Sequence, residues 1–164
     1  MACTCNLDDI EAECGRNAPG LKTVLHVACV GDLTSIGAAT NHVVSTITPA
    51  TDKGFFKFNI IRKDNDLKTT PQEDGGYNTE LKGFISKKAA AKAKVLTSLA
   101  TDENYVVIPE DQNSYKEILG AIDHPCKIRV ESVTTPKNGY NVTVLWEGHG
   151  DLPFSFSGTI PLPT

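Results

Sequence analysis

The sequence predicts a mainly β fold, a β-barrel or sandwich of two packed sheets with one flanking α-helix at about residues 86–100. Three observations predict it. Apolar, β-branched and aromatic residues alternate with period two, as in FFKFNII (55–61) and YNVTVLW (140–146). Clusters of Gly, Pro, Asn and Asp punctuate those runs. One stretch, SKKAAAKAKVLTSLA (86–100), is instead rich in strong helix formers.

Residues 1–20 read as an irregular N-terminal arm, and 21–164 as one β domain. Within the arm, LDDIEAE (7–13) suits a helical turn that Gly15, Asn17, Pro19 and Gly20 then stop. LKTVLHVACV (21–30) is a first strand, and Gly31-Asp32 a turn signal. TNHVVSTIT (40–48) reads as a second strand ended by Pro49. In FFKFNII, alternation puts Phe56, Phe58 and Ile60 on one face and Phe55, Lys57, Asn59 and Ile61 on the other. Residues 62–76, RKDNDLKTTPQEDGG, are densely charged and carry Pro71, Gly75 and Gly76. They are expected to form one long loop, a length that is usually functional or solvated. YNTELKGFI (77–85) alternates again.

In the helix, Ser86 is the expected N-cap. Ala89, Ala93, Leu96 and Ala100 form the expected docking face, with Lys87 and Lys94 opposite. Such a face buries little area, so the helix depends on tertiary packing. NYVVIP (104–109) is a strand and EDQN a turn. SYKEILGAI (114–122) supports two readings. Ser114 and Glu117 match a capping box, with Tyr115, Ile118, Leu119 and Ile122 at helical spacing. Gly120 and the short preceding turn favour a hairpin strand, which is the preferred reading.

CKIRVESV (126–133) turns Ile128 and Val130 to one face and Lys127, Arg129 and Glu131 to the other. Asn138-Gly139 is the expected core of a tight hairpin. Tyr140, Val142, Val144 and Trp146 are expected to point inward, and EGHGD to turn. Phe154, Phe156, Gly158 and Ile160 alternate in a last strand before Pro161 and Pro163. About eight or nine strands result.

Composition narrows the function classes. The formal net charge of 164 residues is -4, which argues against a dedicated nucleic-acid surface. No apolar run approaches the roughly 18–20 residues that span a bilayer, so no membrane association is expected. The N-terminus has neither a basic start nor an apolar core, so it does not read as a secretory signal. Five cysteines, Cys3, Cys5, Cys14, Cys29 and Cys126, then read as free thiols rather than a disulfide framework. The Cys3, Cys5, Cys14 group lacks common zinc spacing and a nearby histidine.

Chemistry-bearing motifs are sparse. His26, His42, His124 and His149 show no ligand spacing, and each reads as structural or solvated. The carboxylate pairs Asp8-Asp9, Asp64/Asp66, Glu73-Asp74 and Glu110-Asp111 fall in turn-like stretches, where Asp suits the backbone. Cys126 with His124 forms a weak nucleophile candidate that lacks an orienting third group. No enzyme activity, metal or cofactor is expected. A soluble β-sandwich ligand-binding module is the alternative class, and it calls for exposed aromatics, with Trp146 and Tyr140 as candidates.

The order of these elements resembles a family. The lead-in ECGRNAPGLKTVLHVA, the aromatic strand FFKFNII with its charged follower, and YNTELKGFIS before KKAAAKAKVLTSLA carry the likeness. NYVVIPEDQNSYKEILG, NGYNVTVLWEG and FSFSGTI complete it, over about residues 15–160. The chain resembles the tail tube (major tail) proteins of long-tailed phages, in the form found in Bacteroidetes phages and prophages. It also resembles the related tube proteins of contractile injection systems. EILGAIDHP departs from the pattern by its helical spacing.

The resemblance implies a structural virion protein of the tail, made in the host cytoplasm. Its subunits would form hexameric rings that stack into a tube, contact other tail proteins and let DNA pass without specific binding. A modestly acidic chain suits such a conduit, because neutralising phosphates would make DNA stick. Free strand edges would be covered by neighbours in a ring. The charged residues Arg62, Lys63, Asp64, Asp66, Lys68, Glu73 and Asp74 are the expected subunit contacts, with Lys87, Lys88, Lys92 and Lys94 on the helix.

Overall fold

The computed structural model describes residues 18–101 and 104–164. The described strands begin with β1 Val24–Cys29, β2 Leu33–Ile36, β3 Val43–Val44, β4 Ile47–Pro49, β5 Phe56–Asn59, β6 Asp66–Pro71 and β7 Tyr77–Ser86. The helix α1, Ala90–Thr101, follows. Then come β8 Tyr105–Ile108, β9 Glu117–Ile118, β10 Lys127–Val133, β11 Gly139–His149 and β12 Phe154–Phe156. Among the described residues the fold is therefore mainly β with one helix, as the sequence predicts.

The sheets are antiparallel except where β12 runs parallel to β3. A central sheet has the order β5-β1-β8, and a larger one the order β10-β11-β7-β6. Two small sheets, β3-β12-β9 and β2-β4, complete the set. Strand β8 reads YVVI without a polar break, and it is buried on both faces. Tyr105 and Val107 join Leu25, Val27, Leu81, Val142, Val144 and Trp146 in one core, under the larger sheet. Val106 and Ile108 join Leu33, Val44, Ile47, Phe55, Ile118 and Phe156 in a second core, under the small sheets. Each such side chain stabilises the fold by about 1.5–3 kcal/mol when fully buried.

Several expected elements change form. The 40–48 run is two short strands, β3 and β4, and β4 pairs with β2, which the sequence reading passed over. Around β5, Phe58 and Ile60 turn to one core and Phe55 to the other, while Phe56 stays 52% exposed. The expected loop 62–76 is mostly ordered secondary structure. A 3-10 turn at Arg62–Asp64 leads into β6, which pairs with β7 in register from Asp66↔Lys82 to Pro71↔Tyr77. The loop proper shrinks to residues 72–76, where Gly75 and Gly76 take positive φ of 88° and 83°.

The helix starts later than expected, because Ser86 ends β7 and so does not cap α1. Its docked residues are Leu96 and Leu99 with Ala93 beside them, whereas Ala89 and Ala100 are exposed. Leucines win the core because each removes far more apolar area from water than an alanine methyl. Residues 114–122 are extended. Val107 and Leu119 exchange backbone hydrogen bonds of 2.9 and 2.8 Å, and Gly120 at φ 97° breaks any helix. Ser114, the capping-box candidate, sits at φ 68°.

Two turns also differ. Gly139 is already paired with Val133 in the β10–β11 ladder, so Asn138-Gly139 is not the turn. Glycine is needed there by close approach: a Cβ would lie 2.2 Å from the Ile85 carbonyl oxygen. EGHGD does not turn at once, since β11 runs to His149 through an irregularity after Trp146. The helical turn and the three cysteines expected in the N-terminal arm lie outside the described residues.

Candidate functional site

The charged residues singled out in the sequence fall into two groups, and the fold brings their roots together. The first group rides on the β6–β7 hairpin. Alternation exposes Asp66 and Lys68 and leaves Leu67 packed against the core. Across the ladder Asp66 faces Lys82 and Lys68 faces Glu80, and Lys82 meets Glu80 at 2.9 Å. The result is a solvent-facing lattice of alternating charges, which blunts an edge strand against promiscuous pairing. Glu73 and Asp74 sit exposed in the 72–76 loop, and Arg62 is exposed in the 3-10 turn that also holds Lys63 and Asp64.

The second group surrounds the link from β7 to α1. Lys87 has φ 62°, and its amide donates to the Asn138 carbonyl at 2.9 Å. Lys88 Nζ donates to Thr134 Oγ1 at 2.7 Å. Lys92 Nζ reaches the Ser86 and Lys87 carbonyls at 2.6 and 3.1 Å, tying the helix back to the strand end. Lys94 is exposed. Lys137, in the same 134–138 loop that receives Lys87 and Lys88, pairs with Asp64. One loop thus joins the hairpin root to the helix link. Sequence reasoning missed Lys137, and its proximity to Asp64 has no local signature.

The hairpin is held at its root by polar side chains that the sequence left unremarked. The Asn65 amide clasps Leu21, accepting from its N–H at 3.0 Å and donating to its carbonyl at 3.1 Å. Thr69 and Thr79 hydroxyls meet at 2.8 Å, and Thr79 Oγ1 meets His149 Nε2 at 2.9 Å. His149 Nδ1 donates to the Asp151 carbonyl at 2.7 Å, which leaves Nε2 to accept from Thr79. Burial lowers the His149 pKa from its usual value, opposed by that backbone contact. The same direction holds for His26, again chiefly through burial, with Nδ1 buried and without a hydrogen-bond partner.

The remaining candidates place as follows. Cys126 is fully buried against the Gly120 turn, and burial pushes its thiol far above the usual range. A thiol held neutral that way is a poor nucleophile. His124 is exposed, with its carbonyl accepting from Trp146 Nε1 at 3.0 Å. Trp146 and Tyr140, the aromatics expected of a ligand module, are only 6% and 7% exposed and belong to the core. Among the described residues no group of three His, Cys, Asp or Glu could hold a metal ion. No described helix is long and apolar enough to cross a membrane.

Among the described residues, clefts lie near these groups. One of about 490 Å³ gathers His42, Asp66, Asp111, Glu117 and Tyr115. There the Glu117 carboxyl is pushed up by burial and by Asp111, with His42 opposing. A second, of about 330 Å³, is walled by Trp146, Phe154, Ile118 and small residues. A third, of about 380 Å³, separates β5 from α1. Comparison of the chain with protein-family models, with curated proteins and with solved structures finds no match.

Proposed function

We propose that the chain is a structural subunit that assembles with copies of itself, a major tail tube protein whose hexameric rings stack around a DNA conduit. The observation that supports this most is the set of open strand edges. Within the described residues β5 and β10 each pair on one side only, and neither carries the charge lattice that blunts the β6 edge. A strand with a free edge is a template for pairing with another chain, and a closed ring satisfies that template without runaway aggregation. The mainly β fold with a single helix, and the sequence resemblance, fit the same reading. The charged hairpin and the lysine-rich helix link supply contact surfaces of mixed sign.

The test is assembly. Electron micrographs and sedimentation of the concentrated protein are expected to show rings or filaments of uniform diameter. A protein that stays monomeric under all such conditions, alone and in the native particle, sinks the proposal. Because Leu67 packs on the core, the hairpin is better probed at its tip than by deletion. Glu73→Lys with Asp74→Lys should keep the fold and weaken assembly, and unchanged assembly would remove the tip from the interface.

A further inference from the structure

One short piece of ladder divides two clefts of opposite charge. Leu21 bridges Asp111 antiparallel, and the Lys22 amide donates to the Glu110 carbonyl at 2.7 Å. Alternation sends Leu21, Pro109 and Asp111 to one side and Lys22, Glu110 and Gln112 to the other. The first cleft, of about 490 Å³, gathers the carboxylates of Asp66, Asp111 and Glu117, and no described Lys or Arg lines it. The second, of about 500 Å³, gathers Lys22, Lys57 and Arg62, with Glu110 as its one carboxylate among the described residues.

Each cleft holds charge that its own subunit does not balance. Lys22 is engaged, with Nζ 2.5 Å from Glu110 and 2.9 Å from Ser114 Oγ. Lys57 and Arg62 are exposed, and neither forms an ion pair with a described carboxylate. Across the wall, burial and Asp111 push the Glu117 carboxyl up, with His42 opposing. A carboxylate crowded in that way gains from a cation set beside it. Tyr115 and Leu152, 46% and 49% exposed, give the acidic cleft an aromatic and apolar rim of the kind that interfaces favour.

We propose that the two clefts meet between copies of the chain: Lys57 and Arg62 of one subunit seat on the Asp66, Asp111 and Glu117 cleft of the next. This rests on the tube reading above and names a contact for it. A contact that joins two different patches of one chain is heterologous, so each copy that uses one patch leaves the other open for a further copy. Such contacts close into a ring or run on as a stack. Opposite charge fixes the pairing, because the reverse choice sets cations on cations or acids on acids. Arginine suits the acidic side twice over, since its planar fork matches a carboxylate and its face stacks on a ring such as Tyr115.

The experiment uses the full chain and reverses each side in turn. One variant carries Lys57→Glu with Arg62→Glu. The other carries Asp66→Lys, Glu117→Gln and Leu152→Lys, and keeps Asp111, whose Oδ1 accepts from the Asn113 and Tyr115 amides. Each alone should need about tenfold more protein to assemble than the parent, and an equal mixture of the two should assemble again. Melting temperatures check that both fold. A second arm needs no variant. Carbodiimide, which condenses an amine with a carboxylate, is applied to the parent assembled from isotope-labelled and unlabelled chains. It should join Lys57 to Asp66, Asp111 or Glu117 across chains, read by peptide mass spectrometry. Variants that assemble like the parent, a mixture that is not rescued, or crosslinks confined to single chains overturn this contact and leave the tube reading standing. A parent that never assembles overturns both.

Discussion

The rings of Trp146 and His149 stack with centroids 3.9 Å apart and planes 8° from parallel. The stack continues to Tyr77, so the end of β11 and the start of β7 share one aromatic wedge. His149 also takes the Thr79 hydrogen bond, so its neutral form is built into the hairpin root.

That arrangement has a pH signature. The folded pKa of His149 is lowered, so below about 6.5 the unfolded chain takes up a proton that the folded chain resists. Stability is therefore full above that value and is lost as pH falls through it. His26 adds to the same trend. Melting temperatures between pH 8 and 5 should fall on acidification, and His149→Gln should flatten part of the slope. An identical slope in the variant removes His149 as a source.

Glu117 carries the opposite sign. Its folded pKa is raised, so its penalty is absent below about 4.5 and grows as pH rises through the raised value. Glu117→Gln should therefore raise the melting temperature at pH 7, with the gain vanishing toward pH 4. A variant less stable than the parent at pH 7 would mean the carboxylate has a favourable contact instead.

Gly139→Ala should destabilise by about 2–3 kcal/mol, because a Cβ there meets the Ile85 carbonyl, which cannot swing aside, as well as the Phe84 ring. Gly150→Ala, where a Cβ meets nothing within 4 Å, is the matched control and should stay near neutral. Urea unfolding of the two variants decides it, and equal midpoints would refute the close-approach account.

Leu99→Ala should cost about 2–4 kcal/mol, since Leu99 is only 7% exposed beneath the helix. Ala100→Ser and Ala89→Ser, on exposed positions, should cost little. If the alanine changes prove the more damaging by urea titration, the leucine face does not hold the helix.

Strong alternation made the longest strands legible: Tyr140, Val142, Val144 and Trp146 point inward as the period requires. The same rule failed for β6, whose outward residues are Asp66, Lys68 and Thr70 and whose inward ones are Leu67 and Thr69. An edge strand carries little hydrophobic signal, and Pro71 at its end looks like a loop residue. The helix face was misread because Ala89 and Ala100 fit the spacing while Leu99, which fits it less well, wins on size. The charged candidates were legible as a list but not as a cluster. The Asp64–Lys137 contact joins residues whose pairing only the folded sheet creates.

The central position of β8 sets a timetable for the newborn chain. Val27 of β1 pairs with Val107 of β8, 80 residues later. At about 5–20 residues per second, about 4–16 seconds of synthesis separate the two. Over the later part of that interval β1 and the aromatic FFKFNII run are both made without the strand that closes the middle of the protein. Growing chains on neighbouring ribosomes would meet in that state, so slow passage through residues 60–105 is when wrong partners are made.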